Sequence, residues 1–113
     1  MATAVYVHEG DSIDYTPAAD VAAGDVVVQG ELVGVAKQPI TANTAGSLAV
    51  VGVFDFPKTT GVGTAIVVGS KVYWDATNGV ATTDDGLGAN KLLGKTVRDA
   101  GDNDATVRVR LSQ

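Results

Sequence analysis

Fourteen glycines and three prolines cut the 113 residues into short pieces, and only three of the intervals between them (1–9, 70–78 and 102–113) are longer than six residues. A three-turn helix needs about eleven residues free of such breaks, since an interior glycine costs roughly 0.5–1 kcal/mol and a proline about 3 kcal/mol. Long helices are therefore excluded. The longest interval, Asp102 to Gln113, alternates instead: Val107, Val109 and Leu111 fall on one side, Thr106, Arg108 and Arg110 on the other. Period two is the mark of a half-buried strand.

Eight other segments rich in Val, Tyr, Phe or Thr are strand candidates: Thr3 to Val7, Ser12 to Tyr15, Val26 to Gln29, Leu32 to Ala36, Leu48 to Phe54, Lys71 to Trp74, Val80 to Thr82 and Leu92 to Arg98. Gly30-Glu31 between two valine-rich runs suits a type II′ turn, and Asn78-Gly79 before Val80 suits a type I′ turn, so two hairpins are expected. Eight or nine short strands without helical crossovers predict an all-β chain, a small antiparallel β-barrel or β-sandwich. No linker or repeat divides residues 1–113, which read as one domain. Loops at Lys37 to Gly46 and Thr83 to Asn90 are the longest and are expected to be the most mobile.

The chain has no cysteine, which removes disulfides and thiolate metal sites. No apolar run approaches the length of a membrane span, and the N-terminus lacks the basic-then-apolar layout of a signal peptide, so a soluble, unexported product with no membrane partner is expected. Thirteen acidic against eight basic residues give a net charge of −5, which repels a phosphate backbone and argues against nucleic acid as a partner. The charge is uneven. Residues 1–36 carry Glu9, Asp11, Asp14, Asp20, Asp25 and Glu31 with no Lys or Arg, whereas Lys91, Lys95, Arg98, Arg108 and Arg110 crowd the last quarter. Solvated strand faces explain this plainly; the sharper reading is that acidic and basic ends meet neighbouring copies or a partner surface.

Several clusters imitate chemistry. Ala89 to Thr96 fits a relaxed phosphate-loop pattern ending Gly94-Lys95-Thr96, but such a loop needs a buried strand before it and a helix after it, and only 17 residues remain beyond it. The alternative is a strand carrying Leu92 and Leu93 inward near a kink at Gly94. His8-Glu9-Gly10-Asp11 unites the sole histidine with two carboxylates, yet reads as an exposed turn. Asp99 and Asp102-Asn103-Asp104 resemble the start of a calcium loop without its central glycine and closing glutamate. No serine stands in a nucleophile elbow. No catalytic residue, cofactor or metal site is expected, and the chain does not read as an enzyme. Tyr73-Trp74 could stack on a sugar or base, but neighbours on a strand face opposite ways, so one ring belongs to the core and the other to a surface or interface.

Five motifs then occur in order: Gly24-Asp25-Val26-Val27-Val28, Leu32-Val33-Gly34-Val35-Ala36, Gly52-Val53-Phe54-Asp55-Phe56-Pro57-Lys58, Gly69-Ser70-Lys71-Val72-Tyr73-Trp74-Asp75, and Ala105-Thr106-Val107-Arg108-Val109-Arg110-Leu111. Together they span nearly the whole chain, which resembles the capsid cement, or head decoration, proteins of tailed bacteriophages. Some members of that family carry a RecA-like recombinase label, to which the phosphate-loop argument lends nothing here. The resemblance implies a β-rich structural protein of the virion that is assembled in the bacterial host cytoplasm. It would bind the outer surface of an icosahedral head and stabilise the expanded shell, with the major capsid protein and neighbouring copies of itself, as a dimer or trimer, for partners. The runner-up is a stand-alone carbohydrate- or ligand-binding β-domain on a virion surface. No catalytic residues come with the resemblance, and it does not fix the contact residues. Edge position, aromatic anchoring and the use of arginine at interfaces nominate Thr3, Val5 and Tyr6, then Phe56 with Lys58, Trp74, and Arg108 with Arg110. On this reading Phe54 and one of Tyr73 or Trp74 form the core hub, while Phe56, Pro57 and Lys58 reach outward.

Overall fold

Short, β-branched segments separated by turn residues pair with their neighbours in sequence wherever the intervening turn allows, and nine strands result among the described residues. A computed structural model describes residues 3–112. In chain order they are β1 (Ser12–Tyr15), β2 (Val26–Gln29), β3 (Leu32–Val35), β4 (Gly46–Ala49), β5 (Gly52–Pro57), β6 (Lys71–Asp75), β7 (Val80–Thr82), β8 (Lys91–Thr96) and β9 (Thr106–Leu111). The helical content among the described residues is a single 3-10 turn, Gly86–Gly88. Every pairing is antiparallel, in a four-stranded sheet ordered β1-β4-β3-β2 and a five-stranded sheet ordered β5-β9-β8-β6-β7.

The all-β expectation holds, with two local corrections. Thr3 to Val7 forms no strand; its side chains stand exposed with no partner strand beside them. Leu48 to Phe54 is two strands of different sheets: β4 ends at Ala49, the chain bends at Val51, and β5 begins at Gly52. A run as apolar as Leu48 to Phe54 looks like one strand, but here the bend carries the chain from one layer to the other.

The β2–β3 hairpin pairs Gln29 with Leu32 across Gly30-Glu31, with Gly30 at φ 61° and Glu31 outside the left-handed region, as a II′ turn requires. The second hairpin differs from the two-residue I′ turn expected. Asp75 pairs with Val80, so the loop has four residues, and only Gly79 (φ 66°) is left-handed. Asp75 takes over the turn: its carboxylate accepts from the amides of Thr77 and Asn78, both at 3.1 Å, and from Asn78 Nδ2 at 2.7 Å.

All five strands of the larger sheet send side chains to one inner face: Phe56, Val107, Val109, Leu111, Leu93, Val72 and Ala81, which join Val33 and Val35 of β3 in the main core. Its edge strands β5 and β7 touch each other, so this sheet curls toward a barrel while β3 packs against β8. The reverse face of the four-stranded sheet holds a second cluster, Ala36, Ile40 and Leu48, edged by Ile13, Tyr15, Val21 and Val27. Ile40 lies in the long loop that covers this cluster. That loop is fastened by the Val21–Ile40 bridge and by an Ala42 amide donating to Asp20 at 2.8 Å.

Candidate functional site

Candidate side chains sort themselves by strand parity. On β5, Phe54, Phe56 and Lys58 share the inward side and Val53, Asp55 and Pro57 the outward one. Phe56 is only 2% exposed and sits between Phe54 and Trp74, with ring centroids at 6.2 and 6.1 Å. This corrects the outward placement of Phe56: it is the hub of the core, and Phe54 is a half-buried flank. Trp74 packs half-buried against the same cluster, while Tyr73 takes the opposite side of β6.

Lys58 is corrected in the same way, being 5% exposed. Its ammonium donates to the carbonyls of Thr59 (2.8 Å) and Asp104 (3.1 Å) and to Thr64 Oγ1 (3.2 Å). Three acceptors match its three donors, so a buried cation is tolerated without a carboxylate. It straps the loop after β5 to the loop before β9. Thr64 Oγ1 shares its own proton between the carbonyls of Gly61 (2.6 Å) and Asp102 (2.8 Å).

The acidic residues that resembled a calcium loop serve this strap. Asp102 Oδ1 accepts from the amides of Thr64 (3.1 Å) and Ala65 (2.9 Å), Asp99 Oδ1 from Val68 (2.7 Å), and Asp104 Oδ2 from Gly101 (2.8 Å). Each carboxylate is aimed at backbone rather than converging with the others on one point. Near the N-terminus, His8 Nδ1 contacts the Glu9 carbonyl, and Tyr6 donates to Glu9 Oε1 at 3.2 Å in an exposed local turn.

The phosphate-loop look-alike is strand β8, whose Gly94–Thr96 stretch is hydrogen-bonded between β6 and β9, with Leu93 fully buried. Gly94 marks a bulge: Tyr73 faces Leu92 but Val72 faces Gly94, leaving Leu93 as the extra residue, directed inward. Leu92 was expected inward as well and instead lines a surface hollow. A side chain at 94 would place Cβ 1.9 Å from the Arg110 carbonyl oxygen, so the backbone approach there requires glycine. Among the described residues no helix follows to hold a phosphate.

The candidates that remain exposed lie on the outer face of the five-stranded sheet and in the N-terminal segment. Asp55 and Arg108 face each other across β5 and β9 and form a bidentate pair, Nε to Oδ1 at 2.9 Å and Nη2 to Oδ2 at 3.1 Å. That hydrogen bonding, helped by the charges of Arg108 and Arg98, holds the Asp55 carboxyl below its ordinary value and raises the Arg108 guanidinium above its own. Arg110, two residues on, lies beside a hollow of about 290 Å³ that Lys71 and Lys95 also line. Among the N-terminal candidates, Thr3 is exposed, Val5 is 86% exposed and Tyr6 76%. The structure thus leaves Thr3, Val5, Tyr6, Arg108 and Arg110 available to a partner, half-buries Trp74, and withdraws Phe56 and Lys58.

Sequence reasoning passed over Lys71 and took Lys95 only as one of the basic residues crowding the last quarter. Their arrangement is set by register, which puts Lys95 between Lys71 and Arg110.

No curated protein and no solved structure matches the chain. A family model described as phage cement protein matches residues 7–111, which takes in all nine strands and both clusters. The chain belongs to the phage cement protein family, whose role is a structural one in the phage capsid.

Proposed function

We propose that this chain binds the outer surface of a tailed-phage icosahedral head and stabilises the expanded shell. The observation that carries the reading is the family match across residues 7–111. Its partners are the major capsid protein and neighbouring copies of itself, and its location is the outside of the virion head, reached by assembly in the host cytoplasm. The mechanism is mass action. A ligand that binds only the expanded lattice stabilises it by about 2.7 kcal/mol per site at a hundredfold excess over Kd, and many copies multiply the effect. An interface of ordinary size, roughly 1,600 Å² in total, supplies affinity of that order.

The contacting groups, toward the shell or toward a neighbouring copy, are the exposed N-terminal segment with Val5 and Tyr6, and the outer sheet face bearing Arg108 and Arg110. Stacking on a glycan through Trp74 loses its support, because that ring packs against Phe56.

Sedimentation with purified empty heads tests the proposal. Saturable binding to expanded heads, weak binding to unexpanded ones and a higher rupture temperature are expected. No cosedimentation at micromolar protein overturns it.

A further inference from the structure

Three cations stand side by side across the outer face of the five-stranded sheet. β6 and β8 place Lys71 opposite Lys95, and β8 and β9 place Lys95 opposite Arg110. All three are exposed, and none of their side chains makes a hydrogen bond or ion pair among the described residues. Directly opposed side chains on adjacent strands lie about 4.5–5.5 Å apart at Cβ, where like charges destabilise the sheet. Two residues along β9 the same problem is solved within the chain, since Arg108 meets Asp55. The row bearing Arg110 has no such partner. It flanks the hollow floored by Leu92, Gly94 and Ser112.

The chain carries the complement elsewhere. Its first 36 residues hold six carboxylates and no Lys or Arg. Four of the six are engaged: Asp20 and Asp25 accept backbone amides, Glu31 pairs with Lys91 at 3.0 Å, and Glu9 accepts from Tyr6. Asp11 and Asp14 are exposed, and their carboxylates have no partner among the described residues. Asp14 lies on β1 and Asp11 just before it, at the edge of the four-stranded sheet. An unpaired edge is where chains meet.

We propose that the row Lys71–Lys95–Arg110 is the socket for the β1 edge of a second copy of this chain, with Asp11 and Asp14 entering the row. The contact joins two different surfaces, so each copy gives one edge and receives another, and the arrangement repeats into a ring where the rotation closes. It is independent of head binding, and its test uses the free protein.

Analytical ultracentrifugation of the full chain reads the proposal. Wild type is expected to self-associate at low ionic strength and to shift toward monomer in about 0.5 M salt, where screening is within a few ångströms. Lys71→Glu/Lys95→Glu lacks the socket and Asp11→Lys/Asp14→Lys lacks the edge, so each alone should sediment as a monomer. An equimolar mixture restores opposite charge between socket and edge and should associate, an outcome that misfolded variants could not produce. The proposal is overturned if wild type stays monomeric up to about 1 mM at low salt, if either variant associates like wild type, or if the mixture of folded variants stays monomeric. Wild-type binding to heads, measured separately, distinguishes failure of this contact from failure of the capsid reading.

Discussion

A hydrogen at position 94 and a carboxylate at position 55 show how much single residues decide here. Gly94 brings β8 against the Arg110 carbonyl at a distance no Cβ could occupy. The oxygen belongs to a mid-sheet strand and cannot move aside, so Gly94→Ala should cost about 3 kcal/mol or more in urea unfolding. A loss under about 0.5 kcal/mol would show that the bulge relaxes freely. The need for a kink at Gly94 was visible in the sequence, but its cause was not, because the obstructing atom lies in another strand. Asp55 gives a second test. Its folded-state pKa is depressed, chiefly by the hydrogen bond from Arg108, so it contributes stability above its ordinary value of 3.8. That contribution disappears as pH falls below 3.8 through the folded value. Asp55→Asn should therefore lower the unfolding midpoint at pH 6 and converge on wild type near pH 2. Since the pair is well exposed, with side-chain exposures of 39% and 44%, the effect should be small and weaken further in salt. Equal displacement at both pH values would mean that the pair is not what Asp55 contributes.

Period two made the C-terminal element legible, with Val107, Val109 and Leu111 at 1%, 0% and 0% exposure and the arginines outside. The same rule, applied to Phe54-Asp55-Phe56-Pro57-Lys58, places Phe54, Phe56 and Lys58 on one side, and the proline after Phe56 obscured it. A lysine at the end of an apolar face reads as the point where a strand leaves the core; Lys58 stays inside because three acceptors converge from two loops distant in sequence. Thr3 to Val7 shows the opposite failure: β-propensity without a partner strand makes no strand. The strap formed by the loops flanking residues 58–68 and 99–105 is the element least visible from sequence and the one whose removal should be most local. Thr64→Val deletes the hydroxyl that accepts from Lys58 and donates to Gly61 and Asp102, at about 1–3 kcal/mol for the groups left unpaired. Amide exchange should accelerate at Ile66 and Ala100, which bridge the two loops, and remain slow in β3 and β4. Uniform acceleration across both sheets would mean that the strap is not a separate cooperative unit.

The whole chain is broad and thin, 50 × 39 × 25 Å, with 6,996 Å² of accessible surface. A monomeric globular protein of 11.4 kDa presents about 5,800 Å². The excess, on the order of 1,000 Å², is comparable to one partner's share of a standard interface, roughly 800 Å². Part of it is the N-terminal segment, where Val5, Tyr6 and Val7 are 86%, 76% and 80% exposed. Three consecutive large side chains left in water gain nothing from folding and gain considerably from being covered, at about 25 cal/mol per Å² of apolar surface. Among the described residues the first backbone hydrogen bond from this end into a sheet is made at Asp11, whose carbonyl accepts from the Val50 amide. Removing residues 1–9 should therefore leave the unfolding free energy within about 0.5 kcal/mol of the full chain's, as for a surface change. If the segment lies against the head, the truncated chain should bind expanded heads at least tenfold more weakly, about 1.4 kcal/mol per site. Equal affinity of the two forms would take the segment out of the contact and leave the sheet face around Asp55 and Arg108 as the surface that meets the shell.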